Sequence, residues 1–288
     1  MTTLSPTADP STSRNRPRAG APDRLGVTFP RVVASEWIKF RTVRAAAWTL
    51  PITALLMVGM AFLQAWGISQ IGAEDFGPVS GASVVTSGWF FAQLAVSVLA
   101  ILTITGEYST GMVRSTFAAT PRRLPTLWAK ALVLVVTVAV TSLVAIALAW
   151  VAVQPFASDL GLSLDLGESE TLRILLGTPL YLSTIAVFAF AIGTLLRHSA
   201  GALAVVLGLL LVIEQVLSVL PLRFFEVISP FLPSTAGTRL IMDDATLEMM
   251  DAARDTVSLS PWGGYGVLAL WTVVLLAAAA VLVRRRDA

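Results

Sequence analysis

Apolar and polar positions in this chain alternate on the scale of whole helices. Six apolar segments lie near Ala46–Gly67, Thr86–Gly106, Ala131–Val153, Ile174–Leu196, Ala200–Leu220 and Gly264–Val283. A bilayer core about 30 Å thick takes roughly 20 residues of helix to cross. The pattern therefore predicts an all-α, polytopic integral membrane protein with six transmembrane helices. Trp48, Trp66, Trp89, Trp128, Trp150 and Trp262 stand at the ends of these segments, where an amphipathic ring fits the membrane–water boundary.

Two stretches before the first span have other patterns. Residues 1–30 are rich in Thr, Ser, Pro, Ala and Arg and lack an apolar core, so they read as a disordered cytoplasmic tail ahead of a membrane domain over 31–288. No apolar run follows their basic residues, as a signal peptide would require. Arg31–Arg44, RVVASEWIKFRTVR, is amphipathic: Val32, Val33, Trp37, Phe40 and Val43 share one arc of a helical wheel, and Arg31, Ser35, Lys39 and Thr42 the other. It is too short and too charged to span, and predicts an interfacial elbow helix lying in the headgroup layer. Glu36, Trp37, Lys39, Phe40 and Arg41 are its candidates for contact with the bundle or with a cytosolic subunit. Glu36 falls within the apolar arc and needs a partner, either Lys39 one turn on or a group on the bundle or on another subunit.

Composition and charge sharpen this picture. The 288 residues are 56% hydrophobic and 13% charged, against roughly 25% charged in soluble domains. There is no Cys, which excludes disulfides and thiol chemistry. A pI near 9.4 raises nucleic acid as a partner. The basic residues instead fall between apolar runs, as membrane topology requires, so no nucleic acid is expected. Residues 1–47 carry eight basic and three acidic residues, and Glu107–Lys130 four and one. Arg197 lies in the fourth loop, and Arg284, Arg285 and Arg286 follow the last span. The intervening loops hold Glu74 and Asp75, then Asp159, Asp165, Glu168 and Glu170 against Arg173, then six acids against Arg223, Arg239 and Arg254. The alternation predicts both termini in the cytoplasm.

Leu222–Pro261 is long for a connector. Its apolar part, FFEVISPFLP, is broken by Pro230 and Pro233 and cannot span. It predicts short extracellular helices between the fifth and sixth spans, followed by an exposed acidic helix over DDATLEMMDAARD. Ala189 with Gly193, and Ala204 with Gly208, place small residues four apart, a spacing that lets helices approach closely in lipid.

Much chemistry is absent. No GxxxxGK[ST] occurs, so the chain has no Walker-type ATP site. His198 is the only histidine and sits in a short turn, against a metal centre. Gly264-Tyr-Gly-Val-Leu-Ala matches GxGxxA in form but opens a membrane helix, out of context for a dinucleotide. Glu214, flanked by Gln215, is the one charge well inside a span. Such acids usually face the bundle interior. Glu214 reads either as a polar point on a translocation path or as a structural hydrogen bond or ion pair, with Arg223 a candidate partner.

The polar stretch Gly106–Arg123, GEYSTGMVRSTFAATPRR, is the most informative. Met112, Val113, Thr116 and Phe117 form a ridge suited to a groove, Arg114 flanks it, Pro121 stops it, and Arg122 and Arg123 hold the next span at anionic headgroups. With the basic elbow SEWIKFRTVR, six spans and the proline-broken segment before the last span, this loop resembles the permease subunit of type-2 ATP-binding-cassette exporters over most of 31–288. In that family the loop is a coupling helix that docks on a separate ATPase subunit. Glu107, Gly111, Arg114 and Pro121 match its acid, glycine, basic and proline positions. The resemblance implies ATP and Mg in a partner ATPase and no cofactor or bond chemistry in this chain. It also implies a second permease chain, identical or homologous, and a place in a bacterial cell membrane. The ridge adds Met112, Val113 and Phe117 as coupling residues. Two alternatives remain: an ion- or proton-coupled secondary transporter using Glu214, which should show an inverted repeat, and a polytopic membrane enzyme, which should place several catalytic groups at one depth.

Overall fold

The computed structural model describes residues 28–71, 80–109, 123–220, 223–252 and 257–285. Among them there is no strand. Helix α1 (Phe29–Thr42) is followed by α2 (Arg44–Ile71), a short α3 (Gly81–Thr86), α4 (Trp89–Ser109), α5 (Arg123–Ala157) and α6 (Ser169–Leu196). Then come α7 (Ser199–Leu207), a π-helical stretch Gly208–Ile213, α8 (Glu214–Val219), α9 (Arg223–Ile228), α10 (Pro233–Thr238) between two 3₁₀ turns, α11 (Asp244–Ala252) and α12 (Pro261–Arg285).

Six helical segments are long and apolar enough to cross a membrane: Arg44–Ile71, Gly81–Tyr108, Leu124–Ala157, Ser169–Leu196, Ser199–Leu217 and Pro261–Arg285. They mark a multi-pass membrane protein. The third begins seven residues before the predicted boundary at Ala131, because Lys130 does not end it. The lysine is neutralised inside the fold and the helix runs through it.

The fourth span is the centre of the bundle. Of its apolar window 78% is buried, and of the second span's 61%, against 22% for the first and the fifth. α6 packs on α4, α5 and α12, and α2 packs on α4 and α5. Ala189 and Gly193 sit in this core as their spacing predicts; a Cβ on Gly193 would stand 2.9 Å from Ile104. Ala204 and Gly208 do not: Ala204 is exposed and Gly208 has no neighbour where a Cβ would go. Their spacing carries no packing within this chain.

α1 lies against α5 and α2. Its buried stripe is Val32, Glu36 and Phe40, at i, i+4 and i+8. Trp37, expected on the apolar arc, is instead on the exposed side, stacked on Phe40 and under Arg41. Val43 caps the helix in an extended conformation. The end of the bundle that carries α1 also holds the α6–α7 turn. There Arg197 adopts φ 57° and lays its guanidinium 5.1 Å from the Tyr108 ring. His198 caps α7, its Nδ1 accepting from the Gly201 amide at 3.1 Å, which gives the lone histidine a local structural role.

At the opposite end the segment after the fifth span forms the short helices that its prolines predict, and α11 is the acidic helix. Pro230 and Pro233 each stand in a first helical turn, where a missing amide hydrogen is tolerated.

Candidate functional site

Four charges meet at the α1 end. Glu36 projects from α1, Glu107 from the last turn of α4, and Lys130 from the second turn of α5. The Lys130 ammonium donates to Glu36 Oε2 at 2.6 Å and to Glu107 Oε1 at 2.8 Å. Lys39, one turn beyond Glu36, donates to Glu36 Oε1 at 2.8 Å and stands 3.8 Å from Glu107. The side chains of Glu36, Lys130 and Glu107 are 3%, 7% and 11% exposed, and that of Lys39 is 30% exposed, so the cluster is closed inward and open at Lys39.

The composition of this cluster has a physical logic. Two carboxylates and two ammonium groups sum to zero charge, so each desolvated ion has a counterion in contact. A lysine ammonium offers three donors around a point, which suits bridging carboxylates that arrive from two different helices. Lys39 and Lys130 are the only lysines in the chain; all other Lys/Arg positions are arginine. Both lysines therefore converge on one site. Phe40, Val43, Leu102 and Val133 wall a cavity of about 340 Å³ beside it, with Thr42, Thr103 and Gly106 completing the lining.

Of the residues singled out from the sequence, Glu36, Lys39, Phe40 and Glu107 are brought together here. Glu36 uses both of the partners foreseen for it, Lys39 and the bundle. Trp37 and Arg41 point away. Gly111, Met112, Val113, Arg114, Phe117 and Pro121 lie outside the described residues. Lys130 was missed as a site residue, because it reads as one more positive charge of a basic loop. The signal for it was Glu36 and Glu107, two acids needing partners, in a chain with only two lysines.

A second polar centre lies toward the opposite end. Glu214 is 2% exposed. Its Oε1 accepts from the Ser234 amide at 3.0 Å, and its Oε2 from the Thr235 amide at 2.6 Å and hydroxyl at 2.8 Å. The carboxylate thus caps α10, where orphan amides and the helix dipole favour negative charge. The partner considered for it, Arg223, is exposed at the start of α9; amides of α10 take that place. Gln215, its neighbour, is on the exposed side. Beside Glu214, Tyr181 OH donates to Gln93 Oε1 at 2.6 Å and lies 2.9 Å from Ser234 Oγ, which reaches the same Gln93 oxygen at 3.2 Å. Spans two, four and five therefore meet on α10.

Two glycines admit α10 to this position. A Cβ on Gly264 would strike the Ala236 carbonyl, and one on Gly237 would stand 2.6 Å from Leu268 and 2.9 Å from Tyr181. The GxGxxA string thus opens the last span with a backbone contact in place of a nucleotide turn. Two arginines fix the surrounding loops. Arg173 donates to the carbonyls of Arg239, Leu240 and Met242 and pairs with Asp244 at 2.7 Å. Arg239 donates to both oxygens of Asp251 at 2.9 and 2.7 Å and to the Leu259 carbonyl. Asp243 accepts from the Thr246 amide at 2.7 Å and the Ser83 hydroxyl at 2.8 Å, joining the loop to the second span. Burial raises the Asp243 carboxyl, but the bonds from Thr246 and Ser83 outweigh it and hold it below the ordinary aspartate value.

No group of three or more histidine, cysteine and acidic side chains able to hold a metal occurs among the described residues. Compared with protein-family models and with curated proteins, the sequence matches none.

Proposed function

We propose that this chain is the transmembrane subunit of an ATP-binding-cassette exporter of the type-2 class, with ATP and Mg bound by a separate ATPase subunit and no bond chemistry of its own. The observation that carries this reading is the Lys130 bridge. Residues 110–122, expected to dock on the ATPase, are bracketed by the last turn of α4 and the first turns of α5. Glu107 and Lys130 join those two helices to each other, and Glu36 joins both to α1. A push on the loop is then delivered to the elbow and two spans as one body, as force transmission from an external motor requires. A loop serving only as a topology signal needs no such clamp.

In this reading both termini, α1 and residues 110–122 face the cytoplasm of a bacterial cell, and α9 to α11 face outward. Tags at Asp165 and Asp244 are then reachable from outside, and a tag after Ala288 only from the cytosol. A second permease chain, identical or homologous, completes the path. The proton-coupled alternative leans on Glu214, whose carboxylate is already committed to three donors at α10; that speaks for the exporter.

The test is purification of the chain from its native membranes with identification of what accompanies it. A Walker-motif ATPase in stoichiometric amount, whose turnover rises with the chain present, is the expected result. Intact transport with no associated ATPase would overturn the reading.

A further inference from the structure

The cavity beside the ion cluster is polar at one end and apolar at the other. Glu107 stands one residue before the end of the second span and Lys130 six residues past the start of the third, so the cluster marks the boundary of the bundle. Leu102 lies five residues before Glu107 in α4, and Val133 three beyond Lys130 in α5. Both are on the side of the membrane core. At 1.5 Å per residue they lie about 7 Å and about 5 Å deeper than the charges. Phe40 of α1 and Val43 at its cap close the wall. Charge at the boundary and hydrocarbon inward is the layout of an amphiphile.

Gly106 keeps the cavity open. It lines the space next to Glu107, and a Cβ there would meet nothing within 4 Å. The volume, about 340 Å³, falls within the roughly 300–1,000 Å³ of ligand pockets. Protein interiors keep few voids larger than a water molecule, because atoms lining an empty space lose their dispersion contacts. Apolar cavities stay dry and take apolar guests. In a bilayer the guest within reach is a lipid chain.

The charge at the mouth selects among lipids. Of the four ionised residues in the lining, Glu36, Glu107 and Lys130 are closed in, and Lys39 is 30% exposed. The charge presented outward is therefore positive. Lys39–Arg44, KFRTVR, holds three basic residues and no acid. Arg41 and Arg44 are exposed and add positive charge to the surrounding surface without lining the cavity. Basic residues at a membrane surface favour anionic lipid.

We infer that this cavity holds one acyl chain of an anionic phospholipid, with the phosphate at Lys39 and the chain between Phe40, Leu102 and Val133. The lipid packs α1 onto the second and third spans beside the bridge that Lys130 makes to Glu36 and Glu107. The site needs only a membrane, and does not rest on the exporter reading.

The test is lipid retention. The full chain is purified in detergent containing equal amounts of dioleoyl phosphatidylglycerol and dioleoyl phosphatidylcholine, and bound lipid is counted by native mass spectrometry. One phosphatidylglycerol should stay on each chain, at least ten-fold in excess of phosphatidylcholine. Gly106→Leu fills the cavity, meets no neighbour at its Cβ and favours helix over glycine; retention should fall at least ten-fold. Gly106→Ala takes less of the space and should lower it about three-fold, deciding the matter if the leucine variant does not fold. Gly266→Leu, at an open and exposed position of the last span, should change nothing. Lys39→Gln should still retain lipid but lose at least five-fold of the preference for phosphatidylglycerol. Unchanged retention in the Gly106 variants, or an equal loss in Gly266→Leu, overturns the cavity as the site. Equal retention of the two lipids by the wild type, or an undiminished preference in Lys39→Gln, overturns the anionic headgroup. No ATPase is present in this assay, so its outcome is separate from that of the co-purification.

Discussion

Glu36 and Lys130, 94 residues apart, meet at 2.6 Å with both side chains under a tenth exposed. The contact carries an amphipathic helix onto the third span, and Glu107 extends it to the second. Desolvated ions of this kind add little net stability over an apolar substitute, but breaking one leaves its partners uncompensated. Lys130→Met should therefore destabilise the fold by about 3–5 kcal/mol, as measured by thermal unfolding in detergent. The triple replacement with Glu36→Gln and Glu107→Gln should recover most of that loss, because the only charge left in the cluster is that of Lys39, the member open to water at 30% exposed. Recovery no better than additive would mean the charges act independently.

The outer loop is tied to the second span by Asp243. Its carboxyl is held below the ordinary aspartate value because hydrogen bonds from Thr246 and Ser83 overcome burial. A carboxylate depressed in the folded state contributes stability above the unfolded value, about 3.9, and loses it as pH falls through the folded one. Asp243→Ala should lower the melting temperature at pH 7, and the gap to wild type should narrow steadily below about pH 4. A gap independent of pH would assign the effect to packing alone.

Gly264 is where α10 crosses the last span at backbone distance. Forcing atoms into a packed contact costs about 1–3 kcal/mol. Gly264→Ala should lose stability in that range, while Gly266→Ala, with open space at its Cβ position, should be near neutral. Equal effects would remove the close approach as the reason for glycine at 264.

Hydropathy carries most of the architecture because a bilayer leaves helices little alternative. The six spans and the acidic α11 are accordingly legible in the sequence. Pairings across the chain are not. Lys130 reads as a boundary residue until Glu36 and Glu107 arrive to neutralise it, so the third span is drawn too short. Glu214 reads as a path residue, a structural hydrogen bond or an ion pair with Arg223; hydrogen bonds are what it makes, but its amide partners are not legible, since every non-proline residue carries one and no residue type marks them. The π turn that positions it leaves no trace in LLLVI. Trp37 fits an apolar arc by angle alone, but the bundle meets α1 along Val32, Glu36 and Phe40, leaving Trp37 at its rim.

Coupling separates into a clamp and a contact, and two substitutions tell them apart. Phe117 lies in the ridge expected to enter the ATPase groove, outside the described residues, and truncating a well-packed aromatic anchor costs on the order of 2 kcal/mol or more of binding. Phe117→Ala should leave membrane insertion and thermal stability unchanged while abolishing ATPase co-purification or substrate-stimulated ATP turnover. Glu107 sits in the clamp, 2.8 Å from Lys130. Glu107→Ala should lower thermal stability first, and lose transport because the second span no longer moves with the elbow and the third span, which Glu36 and Lys130 still join. Its ATPase co-purification should persist, since the ridge is intact. Ser109→Ala is the control, expected within about 0.5 kcal/mol of wild type. If Phe117→Ala keeps full association and turnover, the contact runs through α1 instead, and Arg41 and Trp37, which α1 leaves exposed, become the residues to truncate next.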